Sequence, residues 1–360
     1  MRIVLKLGTA LLAKNDGTLD EARIKKLAEQ VSSLSKGNDF IIISSGAIGA
    51  GFRQLGFKKK PRDIVLLQAC AAAGQPLLMG TYSKIFKKQK VAQVLLTADD
   101  FSDRKRYLNL RNTIMALLEQ KIIPIINEND VVSVREIEGA FGDNDELAAL
   151  VASAMQADKL LILTTVDGLF TGNPEIEKEA EFIPRVEKID NKILAMAQGK
   201  NTSGRGGMAT KINAAKIATT AGVETIIANG KKDGTIAKAL AGKCGTLFAI
   251  SSSGTVTGKK NWIAFSGTPK GTIKVNQGAA DAVASGKSLL PVGITSASGG
   301  FKRGDVISIE NEAGKKIAKA IANYSNSEIE KIKGMHSAEI KKKFGFEYDE
   351  AAFSANIAVV

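Results

Sequence analysis

Along the first 250 positions, apolar residues fall into two alternating rhythms. Short unbroken runs, "RIVLKLG", "DFIIISSG", "VAQVLLT", "IIPIIN", "KLLILTT", "ETIIAN" and "TLFAI", have the length of strands and little polar alternation. Between them the spacing becomes helical. From Asp20 to Lys36, Ile24, Leu27, Ala28, Val31 and Leu34 share one face, and Gly37 stops the run. An Ala- and Leu-rich helix is predicted from Ile64 to Lys88. Strands apolar on both faces that alternate with helices predict an α/β fold, a mostly parallel sheet sandwiched by helices. Such sheets bind ligands beyond the carboxyl ends of their strands.

The rhythm changes after "SSSGTVTGKKNW". Gly and Ser then punctuate short stretches, "GTIKVNQGA", "SLLPVGI" and "GGFKRGDVISIENEAGKKIAKAIANY", which predict a small β-rich domain. The boundary is placed between 252 and 270.

Composition narrows the chemistry more than the fold. The 360 residues are 44% apolar and 24% charged, as in ordinary globular proteins. His336 is the only histidine, which excludes His-based triads and most zinc chemistry. Cys70 and Cys244 stand alone among small apolar residues and are expected to be buried free thiols. The net charge of +13 invites a nucleic-acid reading, but residues 271–360 carry 12 Lys and Arg against 10 Asp and Glu. The remaining lysines fall largely in helical runs, where a solvated face explains them. "MRIVLKLGTALL" has Lys6 inside its apolar stretch and no cleavage site after it, so it reads as a strand of a cytoplasmic protein rather than a signal peptide. No apolar run is expected to reach the roughly 20 residues of a membrane span.

Chemistry concentrates at predicted strand ends. Glycine loops follow strands at "KLGTALL" (Lys6, Gly8) and "ISSGAIGAG" (Gly46, Gly49, Gly51), and "NTSGRGGMATK" (Gly204, Gly206, Gly207, Lys211) opens a helix at Met208. Backbone amides of such loops and helix N-termini attract anions, so phosphate binding is the reading. The only Gly-Lys-Ser, at Gly286 to Ser288, has Asp281 where a nucleotide-binding loop needs glycine, and reads as a surface turn. Two acid-amide clusters, Glu128, Asn129 and Asp130 in "IPIINEND" and Asp143, Asn144 and Asp145 in "FGDNDELAALVA", either cap helices or line a polar pocket. The residues alone leave both open.

In order, "VLKLGT", "SSGAIGAG", "AAAGQ", "LLTADDFSDRKRYLNLRNT", "IPIINENDVV", "FGDNDELAALVA", "LLILTTVDGLFTGNP" and "GRGGMATKINAAKIA" resemble the amino-acid kinase family from residue 3 to about 250. "INEND" with "FGDND" resembles the members that phosphorylate the γ-carboxylate of L-glutamate, not aspartokinases, acetylglutamate kinases or uridylate kinases. The C-terminal segments resemble a PUA domain. The expected division is therefore a kinase domain over 1–255 and a PUA-like domain over 271–350.

The resemblance implies ATP and Mg²⁺ as cofactors, and γ-glutamyl phosphate, the first intermediate toward proline, as product. It implies Lys6, Lys211 and Asp145 as catalytic residues, and Ser45, Asp130 and Asn144 as holders of the amino acid. For the nucleotide it implies Lys6, Gly8, Thr164, Thr165, Arg205, Gly206, Gly207, Met208, Ala209, Thr210 and Lys211. A homo-oligomer with L-glutamate and ATP as small-molecule partners is expected, feedback by proline is admitted, and the run lengths and charge above argue against membrane and nucleic-acid partners.

Two departures fall in the implied nucleotide site. Thr165 stands where members commonly have Asp, and Arg205 where Thr is frequent. They keep another amino-acid or carbamoyl kinase of the same fold as a rival. From a different class, the rival is an RNA-binding protein acting through the PUA-like domain. Against it stand the near-neutral charge of that segment and its few aromatics, Phe301, Tyr324, Phe344, Phe346, Tyr348 and Phe353.

Overall fold

The computed structural model describes all residues except 88, 134–143, 175, 178, 198–206, 251–259, 261, 267, 345–349 and 360. The chain divides into two units. The first comprises Met1–Ala98 and Leu108–Thr255, the second Asp99–Tyr107 and Val256–Val360.

The first unit is built on an eight-stranded sheet. Its strands are β1 (Arg2–Leu7), β2 (Asp39–Ser44), β3 (Val91–Leu96), β4 (Ile123–Glu128), β5 (Lys159–Thr164), β8 (Arg185–Val186), β9 (Glu224–Asn229) and β10 (Thr246–Phe248), in the order β3-β4-β2-β1-β5-β9-β10-β8. β6 (Leu169–Phe170) and β7 (Phe182–Ile183) form a separate two-stranded ribbon. The six strands from β3 to β9 are parallel, and β10 runs antiparallel to β9. The expected α/β class and mostly parallel sheet are present, and each of the seven runs read as strands contains one.

The helices of this unit follow the sequence signals. In chain order they are α1 (Thr9–Leu12), α2 (Glu21–Leu34), α3 (Ala47–Gly51) and α4 (Ile64–Ile85). α5 (Asp99–Ser102) lies in the second unit, and α6 (Arg104–Glu119) begins there and continues into the first. Among the described residues, α7 (Asp145–Ala154), α8 (Asn191–Ala197), α9 (Met208–Thr220) and α10 (Thr235–Leu240) follow. Asp20 and Asp63 cap α2 and α4 by accepting the amides of Arg23 and Leu66. Alternation along β1 divides the layers. Ile3, Leu5 and Leu7 join a core with Ile24, Leu27 and Val31 of α2 and with Leu78 and Tyr82 of α4. Val4 and Lys6 face the other way.

Glycine sets one unusually close contact. A β-carbon on Gly74 of α4 would lie 1.9 Å from the Ala47 carbonyl oxygen, and one on Gly51 of α3 would lie 2.0 Å from that of Cys70. Only glycine lets these two helix backbones meet.

α4 corrects one expectation. It is long and apolar enough, by length and composition, to cross a membrane, with no charge between Asp63 and Lys84. One face of it packs into the first unit through Leu67, Cys70, Ala71, Gly74, Gln75, Leu78 and Tyr82. Cys70 is buried as expected, whereas Cys244 is only half-buried.

The second unit carries a five-stranded sheet of β11 (Gly271–Val275), β12 (Ile294–Gly299), β13 (Val306–Asn311), β14 (Lys316–Ile321) and β15 (Ile357–Val359), ordered β12-β11-β13-β14-β15. Its core gathers Ile273, Val275, Ile307, Ile309, Ala320, Tyr324 and Ile329. "SLLPVGI" is not one strand: Leu289 makes a single bridge to Ala352, and Pro291–Gly293 is a 3₁₀ turn. Asp99–Tyr107 packs on Trp262 of the same unit. The Trp262 indole donates to the Phe101 carbonyl at 2.7 Å, its ring lies 6.2 Å from Tyr107, and the Arg104 guanidinium sits 5.1 Å above it.

Candidate active site

The parallel register brings the carboxyl ends of the central strands level. Lys6 and Leu7 lie opposite Ile43 and Ser44, Leu7 lies opposite Leu163, and Thr164 lies opposite Asn229. Ser45 and Gly46 follow β2, and Gly46 takes φ +112° as the chain turns into α3. Asn127 and Glu128 end β4. Thus Lys6, Gly8, Ser45, Asp130, Thr164 and Thr165, widely spaced in sequence, sit at one edge of the sheet.

Two helix starts complete that edge. Asn144 and Asp145 begin α7, and Gly207, Met208, Ala209, Thr210 and Lys211 begin α9. Gly207 caps α9 without a side-chain bond, which leaves first-turn amides available to an anion. Arg205 and Gly206, like Asp143 and Gly204, lie outside the described residues.

The centre of the site is an ion triad. Lys6 Nζ lies 2.8 Å from Asp145 Oδ1, and Lys211 Nζ lies 3.1 Å from Asp145 Oδ2. The Lys6 contact is a charge contact rather than an aligned hydrogen bond. The Thr210 hydroxyl lies 2.8 Å from both Asp145 Oδ2 and the Gly207 carbonyl oxygen. Lys6 and Asp145 are fully buried, and Lys211 is 5% exposed. Two ammoniums around one carboxylate leave a net positive site, and buried charge is tolerated because it is paired.

A second cluster forms around Asn144. Its side chain does not cap α7. Nδ2 instead donates toward the Ser44 carbonyl oxygen at 3.1 Å, Ser45 Oγ at 3.0 Å and Asn127 Oδ1 at 2.9 Å. Asn127 Nδ2 in turn donates to Gln75 Oε1 at 3.0 Å. On the other side, Ser44 Oγ donates to the Ser45 carbonyl oxygen, which leaves the Tyr82 hydroxyl to donate to Ser44 Oγ at 2.8 Å. Burial pushes the Tyr82 phenol above its ordinary range, so it stays a neutral donor. Glu128 and Asp130 are buried nearby in sequence. The Asn144 side chain thus belongs to a buried hydrogen-bonded cluster and does not cap the helix.

Sequence reasoning assigned no role to Ser44, Gln75, Tyr82, Asn127 or Asp167. Asp167 follows β5 and accepts from Asn229 Nδ2 at 3.0 Å and from Lys232 Nζ at 2.8 Å. The Lys232 and Asn229 bonds hold its carboxyl below the usual carboxylate range. Its spacing two residues after Thr165 was the available signal.

A mostly parallel sheet with a buried lysine near one strand end, a second in the first turn of a glycine-opened helix and a carboxylate between them has the layout of a phosphate-handling enzyme. Residues 1–229 match the amino acid kinase family and residues 271–344 the PUA domain, and the chain belongs to the amino acid kinase family. Among its relatives, proteins named glutamate 5-kinase from Caldanaerobacter subterraneus subsp. tengcongensis and from Methanosarcina barkeri are each 45% identical. The alignments cover all of this chain and 98% and 96% of those proteins, respectively. The crystal structure of UMP kinase from Ureaplasma parvum shares 20% identity over 69% of this chain and 98% of that one, with a TM-score of 0.47, a likeness that carries no argument about activity.

Proposed function

We propose that this chain transfers the γ-phosphoryl group of ATP to the γ-carboxylate of L-glutamate, giving γ-glutamyl phosphate and ADP, the first step toward proline. The full-length likeness to proteins named glutamate 5-kinase supports the acceptor. The observation that carries the chemistry is the buried Lys6–Asp145–Lys211 triad beside the Asn144–Ser45 cluster.

A γ-carboxylate oxygen attacks the γ-phosphorus, one O–P bond forms, and the bond to the ADP oxygen breaks. The attacking carboxylate is already an anion, so no general base is required and a site without histidine suffices. What remains is positioning and neutralisation of charge on the phosphoryl group in transit. Lys6 and Lys211 supply positive charge there, and Asp145 holds both ammoniums in place. The amides of Gly8 and of Gly207 to Thr210, with Thr164, Thr165, Arg205 and Gly206, take the nucleotide. Asp130, Ser45 and the Asn144 carbonyl oxygen hold glutamate, whose ammonium needs acceptors.

Among the described residues no three His, Cys, Asp or Glu side chains gather as a metal cage. Mg²⁺, if it entered with ATP, would supply neutralisation of phosphate charge, next to the Lys6 and Lys211 ammoniums. Catalysis by residues 1–255 with a PUA-like domain at 271–350, a cytoplasmic homo-oligomer, and feedback by proline belong to the same reading.

The test is ADP release across L-glutamate, L-aspartate, N-acetylglutamate and carbamate, with hydroxylamine to trap acyl phosphate. L-Glutamate is the expected acceptor. Preference for another member of the panel overturns the reading.

A further inference from the structure

The "AAAGQ" stretch acquires a role from its contacts. Gly74 lets α4 press against the backbone of α3, and Gln75, next along the chain, is 8% exposed with its amide at the end of the Asn144–Asn127 chain. Tyr82, seven residues on and so on the same helical face, reaches Ser44. Two turns of α4 thus buttress the same hydrogen-bonded cluster.

The amides in this chain have a fixed direction. The Ser44 carbonyl oxygen accepts only, so Asn144 must turn its NH₂ toward it. The Asn127 oxygen must then face Asn144, and its NH₂ must face the Gln75 oxygen. With its hydrogens committed to protein acceptors, Asn144 offers a substrate its carbonyl oxygen. At the far end, Gln75 Nε2 is buried and has no hydrogen-bond partner among the described residues. A buried amide whose NH₂ donors are left unsatisfied is unfavourable for stability alone, since an apolar side chain of the same size would avoid that loss.

We propose that Gln75 is a positioning residue for the amino-acid acceptor: by holding Asn127, it fixes Asn144 with its carbonyl oxygen turned to the substrate. This rests on the kinase reading above. Without the Gln75 oxygen, the Asn127 amide gains freedom to rotate and Asn144 loses its fixed partner. Acceptor binding then weakens, while the nucleotide side is untouched.

The experiment is steady-state kinetics on Gln75→Met, Asn127→Ala and the double variant, each first checked for folding by circular dichroism and thermal melting. Gln75→Met should raise the acceptor KM about tenfold, the loss of roughly one hydrogen bond, with the ATP KM within about twofold. In the Asn127→Ala background the Gln75 change should add nothing, because both cut the same chain. An unchanged acceptor KM in Gln75→Met, an equal rise in both KM values, or effects that multiply in the double variant would each overturn the proposal. Should Gln75→Met not fold, Gln75→Glu keeps an oxygen toward Asn127. It should hold the acceptor KM within about threefold of wild type, and a tenfold rise there refutes the idea. The wild-type acceptor panel separates this from the parent reading. If another amino acid is preferred, the kinase reading fails while the variant ratios remain measurable with that acceptor. If glutamate is preferred and Gln75→Met is flat, only this inference fails.

Discussion

Replacing Asp145 by Asn is the most direct probe of the triad. The substitution keeps shape and an oxygen for the Thr210 hydroxyl, but removes the single negative charge between two ammoniums at 2.8 and 3.1 Å. At an effective dielectric of about 20, a contact near 3 Å is worth about 5 kcal/mol before desolvation is counted. Removing one partner from a buried pair costs about 3–5 kcal/mol net, so the variant should lose a comparable amount of unfolding free energy. The lysines then repel each other and shift, and a displacement of about 1 Å at a reacting centre lowers kcat roughly 10²-fold. Nucleotide binding should respond differently. Uncompensated ammoniums attract phosphate at least as strongly, so the ATP KM should stay level or fall, and ATP should raise the melting temperature more than in wild type. The assay is coupled ADP release at varied ATP and glutamate, with melting curves at both nucleotide extremes. A kcat within threefold of wild type, or an ATP KM that rises tenfold while kcat is kept, would refute the assignment.

Other outcomes follow from the same geometry. Lys211→Met and Lys6→Met should each lower kcat about 10²–10³-fold by removing charge that meets the phosphoryl group, measured by the same turnover assay on folded protein. Asn144→Ala removes the oxygen assigned to the substrate ammonium and should raise the glutamate KM well above tenfold, with the ATP KM less affected; equal changes in both would count against the role. Trp262→Ala deletes a buried ring and its bond to the Phe101 carbonyl, and should destabilise the second unit by about 3–5 kcal/mol in urea unfolding. Burial, with the nearby Lys316 charge, pushes the Lys319 ammonium below its ordinary range. The folded state therefore releases that proton at lower pH than the unfolded chain, and stability contributed by this group rises with pH on approach to the ordinary lysine range. Lys319→Met should melt higher than wild type at neutral pH, and the advantage should shrink as pH rises toward that range.

The sheet was legible because strands buried on both faces leave a signature no solvated segment imitates. "DFIIISSG" and "KLLILTT" need no partner to be recognised, and the register that levels Lys6, Ser44 and Thr164 follows from their parallel packing. The role of the acid-amide clusters was legible only as an ambiguity. Asn144 before "DELAALVA" has the sequence of a cap, and only its distances to Ser44, Ser45 and Asn127 remove it from that role. Those partners lie 100, 99 and 17 positions away, and local periodicity carries no trace of them. Gln75 was hidden for the same reason, since one polar residue in an Ala-rich helix reads as a tolerated exception until its hydrogen bond to Asn127 is seen. The docking of Asp99–Tyr107 was invisible on different grounds. Tyr107, Leu110, Ile114 and Leu118 make one continuous apolar stripe along α6, and a stripe states that a face is covered without stating by what. Here Tyr107 is covered by Trp262, some 150 residues later, while the rest of the helix belongs to the first unit. Helical spacing therefore gave the element correctly while its partner depended on the long-range path of the chain.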